Sequence, residues 1–160
     1  MIRPYEPADA GALWTLKQAF ERGLGTGTGD EEKASAYDDK LDDAYREDYL
    51  EWVDRCASED PRAVQVATDG EDLVGYAFVL PASLAYIWDA AVLNEIFVAE
   101  SHRGTDVGDD LMEAALAVAR DQDLPLDRVV LDVDRENDRA RAFYERWGFD
   151  HWGEMVAREL

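Results

Sequence analysis

Apolar positions in the N-terminal third of the chain recur at three- and four-residue steps, which is typical of amphipathic helices. The first such helix follows a short predicted strand, Ile2 to Tyr5, and has Pro7 in its first turn. A second predicted helix runs from Tyr37 to Cys56 and carries an aromatic stripe on an otherwise acidic surface. We favour core packing for this stripe, although aromatic rings there could also hold an alkyl chain or a cation of a substrate.

A glycine-rich segment, GLGTGTGD from Gly23 to Asp30, separates these two helices. It superficially suggests phosphate binding, but no strand precedes it and no Lys-Ser/Thr pair follows. We interpret it as a flexible connection.

The period then changes to two residues, which indicates strands. Asp69-Gly70 is the turn signal of a predicted β-hairpin, and the later elements are three more strands and two helices. The hairpin strands are Ala63 to Thr68 and Leu73 to Leu80; the later strands are Ala90 to Val98, Arg128 to Val133 and Phe149 to Ala157; the helices are Thr105 to Arg120 and about Asn137 to Trp147, the second ended by Gly148. This order predicts an α/β fold with a mixed sheet and helices on its faces.

The length of 160 residues and the hydrophobic content of 47% predict one domain over residues 1–160. No stretch is apolar enough to span a membrane and the N-terminus does not resemble a signal peptide, so we expect a soluble, cytoplasmic protein. One cysteine and two histidines predict neither a disulfide nor a metal site. Cys56 lies on the apolar face of its helix, and we interpret it as a buried hydrophobic residue rather than a nucleophile.

The formal net charge of −21 argues against nucleic acid as a partner, because phosphate binding needs a basic patch. Many carboxylates with few lysines are typical of halophilic proteins, whose surfaces stay soluble when salt screens charge. An acidic surface that attracts polyamines or basic proteins is the alternative interpretation.

The segment LNEIFVAESHRGTDVGDDLM combines the end of a strand, a loop with glycines and the start of a helix. The free N–H groups and positive dipole end of such a helix form an anion site. Within it, HRGTDVGDDLMEAAL resembles the pyrophosphate loop of the GNAT superfamily of acyl-CoA-dependent N-acetyltransferases, Arg/Gln-x-x-Gly-x-Gly/Ala, with matches at Arg103 and Gly108. The later segment NDRARAFYERWGF resembles the second signature of that family, with matches at Asn137, Ala140, Phe143, Tyr144, Gly148 and Phe149.

The resemblance implies a mostly antiparallel sheet with splayed central strands, and direct transfer of an acetyl group from acetyl-CoA to a primary amine. It implies a pantetheine arm paired with the strand at Ile96, Phe97 and Val98, and a diphosphate bound at the helix start. The implied cofactor-binding residues are Ile96, Phe97, Val98, Arg103, Gly104, Thr105, Asp106, Val107, Gly108, Asp109, Asn137, Ala140 and Phe143. Family analogy also allows a homodimer.

Two residues match the catalytic positions of the family. Tyr144 corresponds to its general acid, and a phenol with a pKa near 10 is protonated at neutral pH and can donate to a departing thiolate. Tyr144 could instead be a core residue of its helix. Glu95 interrupts an apolar run where many family members carry the base that deprotonates the amine, often through water. If buried it must be paired, solvated at an edge, or functional.

Asp106 replaces the central glycine of the pyrophosphate loop, and Asp109 and Asp110 follow it. These carboxylates could cap the helix and complement its dipole. They could instead weaken cofactor binding at low salt or mark a domain that has lost catalysis. The alternative function is therefore a non-catalytic acyl-CoA-binding or regulatory domain with the same fold.

Overall fold

The computed structural model describes residues 1–26 and 31–160. Its strands are β1 (Ile2–Pro4), β2 (Val64–Asp69), β3 (Asp72–Val79), β4 (Ala91–Val98) and β5 (Val129–Val130). Its α-helices are α1 (Ala10–Thr26), α2 (Glu31–Asp39), α3 (Asp43–Glu59), α4 (Val107–Asp121) and α5 (Asp138–Arg146). Short 3₁₀ turns at Pro7–Asp9, Ala82–Ile87 and Glu100–His102 precede α1, β4 and α4.

The five strands form one sheet in the order β1-β2-β3-β4-β5. The first three pairings are antiparallel, whereas β4 and β5 are parallel and pair only at Ala91 with Val129 and Val92 with Val130. The predicted hairpin is therefore confirmed, with Gly70 in its turn at φ 62°. The mixed, mostly antiparallel sheet with splayed central strands is confirmed as well.

Each face of the sheet carries a hydrophobic core. On one face, α1 and α3 pack side chains such as Leu13 and Val53 against Tyr76 and Phe78 of β3. On the other face, α4 contributes Leu111, Met112, Ala115 and Val118. Cys56 of α3 is buried in the first core, and burial raises the pKa of its thiol, as expected for a hydrophobic side chain.

Glycine at position 75 allows α4 to approach the sheet closely. A Cβ on Gly75 would lie 2.8 Å from the carbonyl oxygen of Phe97 and 2.9 Å from Cδ1 of Leu111. The start of α4 is thereby held against β3 and β4, which positions the loop that precedes it.

An extra residue in β4 changes the direction of its side chains. Phe78 pairs with Glu95 and Val79 pairs with Leu93, so Asn94 has no partner on β3. Such a bulge bends the strand and locally interrupts the ladder of hydrogen bonds. Glu95 then lies beside Tyr76 in the core under α1 and α3.

The predicted helix from Tyr37 to Cys56 is wrong, because the chain forms two helices there. The Asp42 side chain accepts a hydrogen bond from the N–H of Tyr45 at 2.8 Å and caps α3. A side chain that satisfies a free N–H at a helix start favours a new helix over continuation of the old one. The aromatic stripe is thus carried mainly by α3.

The predicted connection from Gly23 to Asp30 is partly helical, since α1 runs to Thr26, and residues 27–30 lie outside the described part of the chain. The predicted strand at Phe149 to Ala157 is wrong: residues 149–160 have no regular structure. Met155 and Val156 are exposed, so this segment has no buried face to support a strand. The strand predicted from Arg128 to Val133 is shortened to Val129–Val130.

No helix in the described ranges is both long enough and apolar enough to cross a bilayer.

Candidate active site

A cavity of about 530 Å³ opens where β4 and β5 separate. Beyond the pairing of Val92 with Val130, residues 93–98 of β4 form one wall and residues 131–134 form the opposite wall. The start of α4, the inner side of α5, and Phe20, Gly23 and Leu24 of α1 complete its lining. A cavity between splayed strands leaves the backbone of β4 open to pairing with an extended ligand.

The end of the cavity beside α4 is basic, although the chain as a whole is acidic. Gly104 has φ 76°, a left-handed conformation that glycine adopts without strain. Arg103 lies next to it, its Nε donating to the carbonyl of Val98 at 3.3 Å. Arg139 of α5 also lines the cavity, and burial followed by the nearby Arg103 lowers its pKa. Two guanidinium groups that repel each other favour an anion between them.

The carboxylates at the start of α4 are arranged differently from either sequence-based interpretation. Asp106 occupies the N-cap position, but its side chain makes no capping hydrogen bond and does not line the cavity. Asp109 lines the cavity and accepts hydrogen bonds from Arg146 and from Nε1 of Trp147, the latter at 2.9 Å. These bonds, with that from Arg146 foremost, lower the pKa of Asp109. Its charge is therefore compensated within the site.

Asn137 and Tyr144 approach the cavity from α5. The Asn137 side chain accepts a hydrogen bond from the N–H of Ala140 at 3.2 Å, so it caps the helix and lines the cavity at once. Tyr144 packs its ring on Phe143 and Phe149, with ring centroids 5.6 and 5.8 Å away. Burial raises its pKa to about 12, against a weaker opposing effect of Arg139. The phenol is therefore neutral and carries its proton throughout the physiological range.

Glu95 is buried and ion-paired. One carboxylate oxygen accepts from the ammonium of Lys17, and the other accepts from the hydroxyls of Tyr49 at 2.8 Å and Tyr76 at 3.3 Å. A buried carboxylate at this position must be paired, solvated at an edge, or functional, and the structure shows that Glu95 is paired. Glu95 also lines the cavity.

The fold brings nearly all sequence-predicted site residues to this one cavity; Asp106 and Val107 are the two that do not line it. Sequence reasoning missed Arg139, although it lies inside the second signature, two residues after Asn137. It also missed Lys17, the partner of Glu95, because 78 residues separate the two and no local pattern links them.

Comparison with known proteins identifies the family. A model of the acetyltransferase (GNAT) family matches residues 28–149, which is more than half of the chain. The chain belongs to this family, and the family supports an acyltransferase enzyme.

Two curated relatives match a shorter segment. The chain is 38% identical over 68 residues to 5-NmdU N-acetyltransferase of Pseudomonas phage PaMx11, which is 42% of this chain and 45% of the relative. It is 40% identical over 74 residues to mycothiol acetyltransferase of Salinispora tropica, which is 44% of this chain and 24% of the relative. The matched segment spans less than half the length of either protein.

Among solved structures, the fold is similar to that of the PaiA N-acetyltransferase from Thermoplasma acidophilum, which was determined in complex with coenzyme A. The TM-score is 0.72 at 20% identity, covering 94% of this chain and 89% of that one. At this identity the similarity concerns the fold.

Proposed function

We propose that this protein is an N-acetyltransferase that transfers an acetyl group from acetyl-CoA to a primary amine by direct attack. The observation that carries the proposal is the cavity where β4 and β5 separate, which has a basic end at α4 and both Tyr144 and Glu95 in its walls. We further propose one domain over residues 1–160; a homodimer and a cytoplasmic location stay predictions.

The cavity residues suit an extended, anionic acyl donor. Free N–H groups at the start of α4, with Arg103 and Arg139, would hold the diphosphate of acetyl-CoA. The backbone of β4 at residues 96–98 would pair with the pantetheine arm, and Asn137 would contact it from α5. Bound in this way, acetyl-CoA would supply a thioester to the part of the cavity near Glu95 and Tyr144.

The chemistry requires one proton to leave the amine and one proton to reach the sulfur. Glu95, or a water that it orients, takes the proton of the amine, which then attacks the acyl carbon. Backbone N–H groups polarise the acyl carbonyl, and the bulge at Asn94 frees such groups from the β3–β4 ladder. As the C–N bond forms and the C–S bond breaks, the Tyr144 hydroxyl gives its proton to the departing sulfur.

Substitution of the acid tests this mechanism. Tyr144→Phe keeps the ring that packs on Phe143 and Phe149 and removes only the hydroxyl. General acid catalysis contributes about 10²–10⁴-fold, so we expect kcat to fall by that order while the calorimetric Kd for acetyl-CoA stays the same. Tyr86→Phe is the matched control, because Tyr86 is 59% exposed and does not line the cavity. Equal kcat for wild type and Tyr144→Phe would remove Tyr144 from the mechanism.

One observation favours a second candidate, a non-catalytic acyl-CoA-binding domain. Both oxygens of Glu95 already accept hydrogen bonds from protein groups. These internal bonds compete with an amine or a water for the proposed base. Saturable acetyl-CoA binding without transfer to any amine in a panel of monoamines, polyamines, amino acids and aminoglycosides would favour this candidate.

A further inference from the structure

A chain of buried ion pairs connects the cavity wall to the surface on the side of α1. We call it the Lys17 network; its members are Lys17, Glu21, Lys40, Tyr49, Tyr76 and Glu95. Its three central residues are almost completely buried, with exposed fractions of 4% for Lys17, 3% for Glu21 and 5% for Glu95. Charged groups this deeply buried are costly unless each has a partner.

The ammonium of Lys17 is the centre of the network. It donates hydrogen bonds to Glu21 and to Glu95, and it lies 4.7 Å from the ring centroid of Tyr49 and 5.2 Å from that of Phe20. Burial alone would lower the pKa of Lys17, but Glu95 and Glu21 together outweigh it and raise the pKa. Lys17 therefore stays charged in its buried site.

Within residues 1–26 and 31–160, the side chains that form hydrogen bonds with the carboxylate of Glu95 are all donors. Lys17 donates to Oε1, and the hydroxyls of Tyr49 and Tyr76 donate to Oε2. Burial, followed by the charge of Glu95, raises the pKa of both tyrosines, so they remain protonated donors. Such an arrangement is complementary to a carboxylate and not to a carboxylic acid.

Lys17 is the cation that balances the charge of Glu95. The groups that face Glu95 are Lys17 and Glu21 from α1, Tyr45 and Tyr49 from α3, and Tyr76 from β3. Lys40 contacts Glu21 at 2.9 Å and contributes no contact to Glu95. Among these groups in the described part of the chain, Lys17 is the only cation in contact with Glu95.

We propose that Lys17 is a positioning residue for acetyl transfer: it holds Glu95 in its charged form and in one orientation at the cavity wall. This inference rests on the proposed function, in which Glu95 receives the proton of the amine. Without Lys17, two buried carboxylates would remain with only Lys40 nearby, and this loss of the contacting cation disfavours the charged form that Glu95 needs to act as a base.

The first experiment compares the pH dependence of kcat for the wild type and Lys17→Met. An opposite charge at this range shifts a titration by about 1–3 pH units. We therefore expect the acid limb of the profile to move upward by about that amount, with kcat recovering at high pH and Kd for acetyl-CoA unchanged. A loss of kcat that is equal at every pH, or an unchanged profile, would overturn the proposal.

A milder variant keeps the test decisive if Lys17→Met does not fold. Tyr49→Phe removes one donor to Glu95 and leaves the ring in place, so the acid limb moves in the same direction by a smaller amount. Tyr5→Phe is its matched control: Tyr5 is 6% exposed, against 5% for Tyr49, and it donates to Asp54 at 3.1 Å instead of Glu95. A shift in Tyr5→Phe equal to that in Tyr49→Phe would also overturn the proposal.

A second readout is independent of turnover. In protein labelled with ¹³C at glutamate carboxyls, and with Glu95→Gln for assignment, we expect the change of the Glu95 signal from carboxylic acid to carboxylate to occur at higher pH in Lys17→Met than in the wild type. A change at the same pH in both proteins would refute the role of Lys17. Absence of transfer by wild-type protein would refute the proposed function, and the NMR result would still decide whether Lys17 keeps Glu95 charged.

Discussion

Replacement of Arg139 by methionine tests whether the basic end of the cavity binds the anionic part of the donor. Arg139 lines the cavity and is close enough to Arg103 for its pKa to be lowered, after the effect of burial, by that second positive charge. A hydrogen bond to a charged group contributes about 1.5–3 kcal/mol. Because Arg139 keeps contact with solvent, we take the lower end, and about 1.4 kcal/mol corresponds to a tenfold weaker Kd for acetyl-CoA.

The same substitution acts in the opposite direction on the free protein. Removal of one of two adjacent guanidinium groups relieves their repulsion, so we expect an unchanged or higher Tm without ligand. Calorimetry should therefore show weaker binding of acetyl-CoA, whereas thermal unfolding without ligand should show no loss of stability. If binding were weaker only because the variant is less well folded, both the affinity for acetyl-CoA and the Tm without ligand would fall.

Arg141→Met is the matched control. Arg141 lies on the same helix, donates to the carbonyl of Arg135 at 2.9 Å and does not line the cavity, so both variants change the net charge equally. Molar KCl shortens the Debye length to about 3 Å, which should reduce the difference between Arg139→Met and wild type. Equal weakening by both variants would mean that net charge, and not the position of Arg139, governs binding.

Two further predictions concern the scaffold. Gly75→Ala places a Cβ 2.8 Å from the Phe97 carbonyl and 2.9 Å from Cδ1 of Leu111, so overpacking should lower the urea-derived free energy of unfolding by about 1–3 kcal/mol; an unchanged midpoint would mean that α4 can shift. Asp9→Asn weakens the paired hydrogen bonds with Arg3, the chief cause of the lowered pKa of Asp9. The stabilisation that charged Asp9 gives the wild type is present above pH 3.8 and is lost as pH falls through the lowered pKa. The difference in unfolding free energy between wild type and Asp9→Asn should therefore shrink in acid, and a constant difference would contradict this.

The elements predicted correctly are those whose own sequence carries the complete signal. The hairpin has alternating apolar positions on both sides of Asp69-Gly70, and α5 has Asn137 at its start and Gly148, with φ 85°, after its end. Most residues predicted from the resemblance to the family line the cavity. These signals are local, and tertiary contacts agree with them.

The failures have physical causes that the local pattern does not contain. A helical period continues across Lys40 to Asp42, but the Asp42 cap starts a new helix. Apolar residues after Phe149 could form a strand only if a neighbour covered them, and the two-residue β5 offers little backbone to pair with. The pairing of Lys17 with Glu95 is decided by how α1 crosses the sheet, which no short motif encodes.

The few lysines of this acidic chain all form ion pairs with carboxylates. The sequence has lysine only at positions 17, 33 and 40. Lys17 and Lys40 bind Glu21, Lys17 also binds Glu95, and Lys33 binds Asp134 in the cavity wall. Salt screens exposed charges far more than buried ones. Molar salt should therefore weaken repulsion among the surface carboxylates while leaving the Lys17–Glu95 pair almost unchanged, so a strongly acidic surface and a buried ion pair beside the cavity are compatible in one small fold.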